Sequence, residues 1–450
     1  MDKRHISKEC SKEKRNAIRE TRKATSLKRA SQTCRVYELK VVEKRLSKRQ
    51  KNQLEMLFVE AKRFYNHILN LRKEGTDIFK LKTKDITKVQ ILDKDRNKSD
   101  YELQYLGSSE KQAILSRLGA NFKTCLELLK SGKQSNFEFR FKSEYSCIPL
   151  KQYGITHRFD NKNPSRIAVQ GIFRKLTVRG TKQIPFELNP DFANACLVKK
   201  PDSYYIHLTT FIDKNKLSKI ETNGKEIGID FGCSDTLTFS DGQKVNVQIE
   251  ESERLKRLSQ KLNRHQTKCS NNRNKTINKI RREYQKITNK KKDAANQICS
   301  RLKSYDLVVI QDEQLKNWQK SKHGKKVQHS SMGMIKAKLQ QYPNVVVLDH
   351  FIPTTKLCTH CGKKHDEMKL SDRTFRCECG IEMDRDVHAA QNMLNIFHLT
   401  NKYFSENHLL PMDCRKVKLA EFKTAIEETK FPRQVQKNDE ARRCHVFSVA

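Results

Sequence analysis

The sequence predicts a multidomain α/β protein. Its first half is β-rich with inserted helices, and its second half runs β-β-β-α-β-α-β-insert-α. Three observations carry this reading. Short alternating segments broken by Gly, Pro and Asn crowd the chain up to about Lys216. After them, apolar strand-like runs alternate with long helical patterns. A length of 450 residues suffices for two or three domains, each with its own core.

Charge narrows the class of partner. The chain holds 92 Lys plus Arg against 52 Asp plus Glu, a formal net charge of +40, with 36% hydrophobic and 32% charged residues. A compact chain tolerates such self-repulsion best beside a polyanion, which points to nucleic acid. No apolar run reaches the roughly 18 residues of a membrane-spanning helix, so no membrane partner is expected. The opening MDKRHISKECSKEKR has no apolar stretch behind it and does not read as a secretory signal. Of 14 cysteines, ten are scattered singly, as reduced thiols of a cytoplasmic protein would be, and four cluster near the C-terminal end.

Residues 1–34 hold eleven Lys or Arg and four acids without apolar periodicity, and are expected to form a basic disordered arm. RVYELKVV, from Arg35, alternates as a strand does. Ser47 and Gln50 form a capping box ahead of a helix marked by Leu54, Leu57, Phe58, Ala61, Tyr65 and Ile68. A second helix is expected over about 109–130, with Ile114, Leu118, Phe122, Leu126 and Leu129 on one face. The segments FEFRFKS, RIAVQGIF, KLTVRG and YYIHLTTF read as strands.

In the second half, KEIGIDFG, DTLTFS and KVNVQIE read as three strands in hairpins, with Asp241-Gly242 as a turn. Residues 251–303 carry 17 Lys or Arg against four acids on a helical stripe interrupted at TKCSNNRN, which predicts a basic helical hairpin. DLVVIQDEQ and NVVVLDH read as buried strands flanking a helix near 331–341, and a last helix is expected from about Asp386 to Phe397. Antiparallel strands followed by parallel strands with crossover helices is the order of an RNase H-like domain.

That order locates candidate chemistry. Two-metal phosphodiester hydrolysis needs carboxylates converging on divalent ions, and Mg²⁺ prefers hard oxygen ligands. Asp230 lies inside the apolar run IGIDFG, where burial is costly unless a partner or metal is present. Asp384 and Asp386 precede the last helix; Asp386 ranks first, because Ala389 and Ala390 behind it let the helix approach the sheet closely. The middle strand offers Gln311, Asp312 and Glu313. Gln311 and Glu313 share one face and Asp312 takes the other, so Glu313 can serve provided the strand extends that far. The cysteine cluster, C-x₂-C-x₁₅-C-x-C, comprises Cys358, Cys361, Cys377 and Cys379, with Gly362 and Gly380 at the knuckles. It suits a structural Cys₄ zinc ribbon. Its second pair is one residue tight, which leaves His360 or His365 as substitute ligands.

GIDFG, QDEQLKNW, CTHCG…CECG and DRDVHAAQNML together resemble the RuvC-like nuclease half of the TnpB family, the transposon-encoded RNA-guided DNA endonucleases (IS200/IS605-type OrfB) related to small type V CRISPR effectors. The resemblance spans roughly residues 35–400 and is strongest over 225–397. It implies an oligonucleotide-binding-type wedge barrel over 35–220, with a helical recognition insert at about 47–135. An RNase H-like (RuvC) domain over 221–350 would follow, with a basic lid at 251–303. A zinc-ribbon insert over 351–383, a final RuvC helix over 384–400 and a tail over 401–450 complete it. It also implies a guide RNA, a DNA target both double- and single-stranded, Mg²⁺ and structural Zn²⁺, and a place in the bacterial cytosol or nucleoid. The family's three acids fall on Asp230, Glu313 and Asp386. The commoner family glutamate stands where this chain has Gln311, so either Glu313 replaces it or the nuclease is crippled. A nuclease-inactive RNA-guided DNA-binding repressor is therefore the alternative, beside a small type V CRISPR effector. Monomer and homodimer stay open.

Overall fold

The computed structural model describes residues 3–92, 97–133, 136–217, 221–264, 270–369, 371–407 and 415–429. The chain forms two compact units, residues 1–218 and 219–450.

In the first unit, α1 (Lys3–Ala30) leads into β1 (Gln32–Val41). Then come α2 (Lys48–Lys73), the hairpin β2 (Lys88–Leu92) and β3 (Lys98–Glu102), and α3 (Ser108–Lys130). Six strands follow: β4 (Cys147–Leu150), β5 (His157–Phe159), β6 (Arg166–Val169), β7 (Leu176–Arg179), β8 (Asp191–Lys199) and β9 (Tyr204–Asp213). Seven strands make an antiparallel sheet in the order β4-β8-β9-β1-β7-β6-β5, curled into a nearly closed barrel. Along β1, Tyr37, Leu39 and Val41 are buried while Glu38 and Lys40 face solvent, the period-two pattern of a half-buried strand. That inner face shares one core with Leu54, Leu57, Phe58 and Phe64 of α2 and Ile114 and Leu118 of α3. The Ser47–Gln50 capping box forms as expected, a contact worth about 1 kcal/mol.

Two expectations fail here. Residues 1–34 are not a disordered arm: α1 occupies most of them. A missing apolar stripe argued against structure, but Ala, Lys, Arg and Glu have high intrinsic helix propensity. The last turn is also tied down, with Lys28 and Arg29 reaching Asp191 at 2.7 and 3.2 Å and Arg29 covering the Phe211 ring at 3.7 Å. FEFRFKS forms no strand; Phe137 and Phe139 pack on Phe122 of α3 with ring centroids 5.1 and 5.4 Å apart.

In the second unit, β10 (Glu226–Asp230), β11 (Leu237–Phe239) and β12 (Lys244–Val245) precede α4 (Glu253–Arg264) and α5 (Asn271–Leu302). Next are β13 (Leu307–Gln311), α6 (Leu315–Trp318), α7 (Gly324–His329), α8 (Met332–Leu339) and β14 (Val345–Leu348). The unit ends with β15 (Thr374–Arg376), β16 (Glu382–Asp384), α9 (Arg385–Glu406), β17 (Lys416–Val417) and α10 (Leu419–Glu428). The sheet order is β12-β11-β10-β13-β14-β17. β10, β13, β14 and β17 run parallel, while β11 and β12 continue antiparallel from β10. Alternation sorts the side chains. Ile227, Ile229, Val308 and Ile310 pack with α5 and α8, whereas Val309, Val346 and Leu348 pack with Met393 and Ile396 of α9 and Phe422 of α10.

The expected basic hairpin is α4 and α5, with Arg254 beside Glu283 at 3.4 Å; the first three residues of TKCSNNRN lie outside the described residues. The final helix runs past residue 400 to Glu406. The tail is not featureless: β17 extends the sheet, and α10 buries Phe422 and Ala425. Residues 408–414 and 430–450 of that tail lie outside the described residues. Among the described residues, no helix is long and apolar enough to cross a membrane.

Candidate functional site

Asp230 ends β10, and Ile229 pairs with Ile310 across the parallel ladder, so Asp230 stands level with Gln311 at the carboxyl edge of the sheet. Its strand alternation puts it on the α9 side with Gly228. A Cβ on Gly228 would meet the Ala390 carbonyl oxygen at 1.9 Å. Only glycine allows this approach, and Ala389 and Ala390, both fully buried, supply the small surface on the helix. The contact carries the start of α9, and Asp386 with it, toward Asp230.

Electrostatics records the convergence. Burial holds the Asp230 carboxyl well above the ordinary range; the charges of Asp386 and Glu313 push the same way, against Arg385 and the Phe231 N–H. Glu313 is also raised, by burial first, with His350 and Lys336 opposing. The three carboxylates do not approach within 4.8 Å as a set. Carboxylate oxygens are the hard ligand type that divalent cations such as Mg²⁺ prefer.

Asp384, the other acid of the DRD run, has a different task. Its Oδ1 accepts the N–H groups of Asp386 and Val387 at 2.9 and 3.2 Å as the cap of α9, and Oδ2 meets Lys244 at 2.8 Å. Burial raises its carboxyl, but Lys244 and the two amides outweigh that and leave it below the ordinary value. Asp386 accepts from the Arg385 guanidinium at 3.1 and 3.2 Å.

The middle strand corrects the alternation argument. β13 stops at Gln311, so Glu313 sits in the loop beyond it and is not placed by strand geometry. Lys336 of α8 holds that loop, donating to Asp312 Oδ1 at 2.7 Å and to the Glu313 carbonyl at 2.6 Å. His350 Nδ1 lies 3.7 Å from Glu313 Oε2. Gln311 is buried with a full set of partners. Its Nε2 donates to the carbonyls of Asp349, His350 and Ile352 at 3.1, 3.1 and 2.8 Å, and its Oε1 accepts from Thr354 at 2.8 Å. A glutamate could not donate to those carbonyls. Lys336, His350 and Arg385 were missed by sequence reasoning; only Arg385, between two candidate acids, carried a local signal.

The cysteines meet closely. Cys358 and Cys379 sulfurs are 3.6 Å apart, Cys361 and Cys377 sulfurs 3.5 Å, and all four lie within 4.8 Å of one another. Tetrahedral zinc–thiolate geometry needs sulfurs about 3.8 Å apart, so the set fits zinc. Gly362 and Gly380, at φ 77° and 94°, make the two knuckles. The tight second pair still reaches because the β15–β16 hairpin returns at once, with Cys377 N–H on the Ile381 carbonyl at 2.9 Å. His360 and His365 are not members of this group; His365 instead sits 3.1 Å from Glu367 and edge-on to Phe375.

Residues 197–322 match the family described as "Probable transposase" (OrfB, IS605), and residues 330–393 match "Cas12f1-like, TNB domain". The two matches cover Asp230 with Glu313, and the cysteines with Asp386, respectively. Over those residues the chain is similar to the OrfB (IS605) and Cas12f1-like TNB families. Among curated proteins, it is 32% identical over 179 residues to a "Putative RNA-guided DNA endonuclease" of Streptomyces pristinaespiralis, covering 37% of this chain and 44% of that protein. It is 26% identical over 234 residues to the "Putative RNA-guided DNA endonuclease InsQ" of Escherichia coli K12, covering 46% of this chain and 56% of the relative. The chain thus spans about half the length of these curated relatives. A chain of the solved Cas12f1–sgRNA–target DNA complex is similar at TM-score 0.46 and 11% identity, covering 81% of this chain and 99% of that one.

Proposed function

We propose that this protein is an RNA-guided DNA endonuclease of the TnpB type, cutting DNA by divalent-metal phosphodiester hydrolysis. The observation that carries this reading is the convergence of Asp230, Glu313 and Asp386 at one edge of the second unit's sheet. The strand order of that sheet supports a RuvC-like RNase H domain. The curled sheet of the first unit, with α2 and α3 inserted between β1 and β4, supports a wedge barrel carrying a recognition lobe. The names of the curated relatives support guide RNA and target DNA as partners.

In this reading Asp230, Glu313 and Asp386 would hold Mg²⁺, which when bound would supply positive charge for phosphodiester hydrolysis. The chain's own residues set the frame. Gly228 brings α9 against β10, Asp384 caps the helix that presents Asp386, and Lys336 fixes the loop that presents Glu313. Cys358, Cys361, Cys377 and Cys379 would hold Zn²⁺ in a structural role. Specificity rests on base pairing, and the basic α4–α5 segment grips phosphates, so affinity falls steeply with salt.

The second reading, RNA-guided binding without cutting, is favoured by one observation: the strand-end position carries Gln311, an amide satisfied structurally. Sequencing the RNA that co-purifies with the protein, then offering matched DNA with Mg²⁺, separates the two. Cleavage that stops with a chelator supports the nuclease, while binding without cleavage supports the repressor. Absence of any discrete co-purifying RNA contradicts both.

A further inference from the structure

We infer that Cys147 and Cys196, on neighbouring strands of the first unit, form an oxidisable dithiol gripped by Arg117, which a hydroperoxide converts to a disulfide. The inference is independent of the nuclease reading. Cys147 begins β4 and Cys196 lies in β8, where it pairs with Pro149. The two cysteines are therefore diagonal neighbours on one face of an antiparallel pair. One guanidinium touches both: Arg117 Nη1 is 3.3 Å from the Cys147 sulfur and Nη2 is 3.4 Å from the Cys196 sulfur, while Nη1 also donates to the Cys147 carbonyl at 3.2 Å. Two nitrogens of one planar fork hold the sulfurs side by side.

A half-buried guanidinium ordinarily needs an anion, and here its partners are two sulfurs and a carbonyl. A sulfur is the group placed to supply it. Cys147 fits: the neighbouring Cys196 thiol lowers it to about 6, burial opposes, and Arg117 and Lys142 help. Cys196 is held protonated. The other groups facing the pair are Lys142, whose Nζ covers the Tyr65 and Tyr145 rings at 4.4 and 4.6 Å, and Tyr145 itself, neutral because burial pushes it up to about 12. A thiolate beside a guanidinium with a second thiol in reach is the arrangement of a peroxide-reactive and resolving cysteine.

The steps balance. The Cys147 thiolate attacks one peroxide oxygen, the O–O bond breaks, and hydroxide leaves to take a proton as water, giving a sulfenic acid. The Cys196 sulfur then attacks the Cys147 sulfur, the S–O bond breaks, and hydroxide departs with the Cys196 proton as a second water. Two thiols are oxidised and one peroxide is reduced. The product removes the negative charge facing Arg117, so α3 loses part of its hold on β4.

The test uses the full zinc-loaded chain treated with hydrogen peroxide at pH 7, alkylated and mapped by mass spectrometry, with exposed Cys34 as internal reference. The expected result is a Cys147–Cys196 cross-linked peptide forming at least about five times faster than Cys34 is lost. Cys196→Ser should stop at a sulfenic acid on Cys147 that dimedone captures, and Cys147→Ser should leave Cys196 unoxidised. Because Arg117 variants risk unfolding, Lys142→Gln provides the second handle: the pH midpoint for alkylation of Cys147 should rise from about 6. A cross-link no faster than loss of Cys34, pairing of either cysteine elsewhere, or a wild-type midpoint above about 8 overturns the inference.

Discussion

The cysteine cluster and the carboxylate edge lie in one unit, and both gather metal-ligand chemistry by different means. Four sulfurs from two knuckles meet within 4.8 Å because glycine turns and a short hairpin aim them locally. The carboxylates come from a strand end, a loop and a helix start, and they converge without closing to that distance. Softness and locality suit the first to a closed zinc site. Remote origins make the geometry of the second depend on the sheet. Spacing encodes the first; topology encodes the second.

The sharpest way to break the comparison is at the cluster. Cys377→Ser should drop bound zinc from one equivalent toward none and open the ribbon to proteolysis, since a structural zinc contributes about 10–16 kcal/mol of apparent binding to folding. Intact zinc content measured by metal analysis would refute the Cys₄ assignment. At the other site, Asp230→Asn should cut cleavage about a thousandfold while raising the metal-free melting temperature. The sign follows from linkage. A carboxyl raised in the folded state favours folding less as pH climbs past its unfolded value, so a neutral amide removes a penalty. Calorimetry with a chelator present checks it.

A smaller effect tests how topology makes the open site. Gly228→Ala should cost about 1–3 kcal/mol and slow cleavage, because the new methyl displaces α9 from β10; urea denaturation measures the loss. Smaller still, Gln311→Glu should lower stability by about 1–3 kcal/mol, because a carboxylate cannot donate to the three carbonyls Gln311 now satisfies. It should bring no gain in cleavage. A stable, faster variant would show that Gln311 stands where the middle ligand belongs.

The same contrast explains what was legible. The Ser47–Gln50 box, the second unit's strands, the Gly–Ala approach and the cysteine spacing all depend on local pattern, and each is present. The misses depend on partners that a pattern does not name. FEFRFKS alternates as a strand does, yet its rings find Phe122 instead of a strand edge. β13 ends at Gln311 because the loop carbonyls 349–352 capture its amide, so Glu313 owes its place to Lys336 on another helix. β17 is two residues long, too short to carry periodicity, and α10 shows its inward face only once Phe422 meets α9 and β14.

The central claim is that Glu313, not the strand-end position, completes a metal-dependent nuclease with Asp230 and Asp386. The direct measurement is cleavage of matched DNA by the purified ribonucleoprotein in Mg²⁺, with wild type and Glu313→Ala side by side and DNA binding measured in both. The account predicts cutting by wild type, none by the variant, and equal binding. Unchanged cutting by Glu313→Ala, or binding without cutting by wild type, would contradict it.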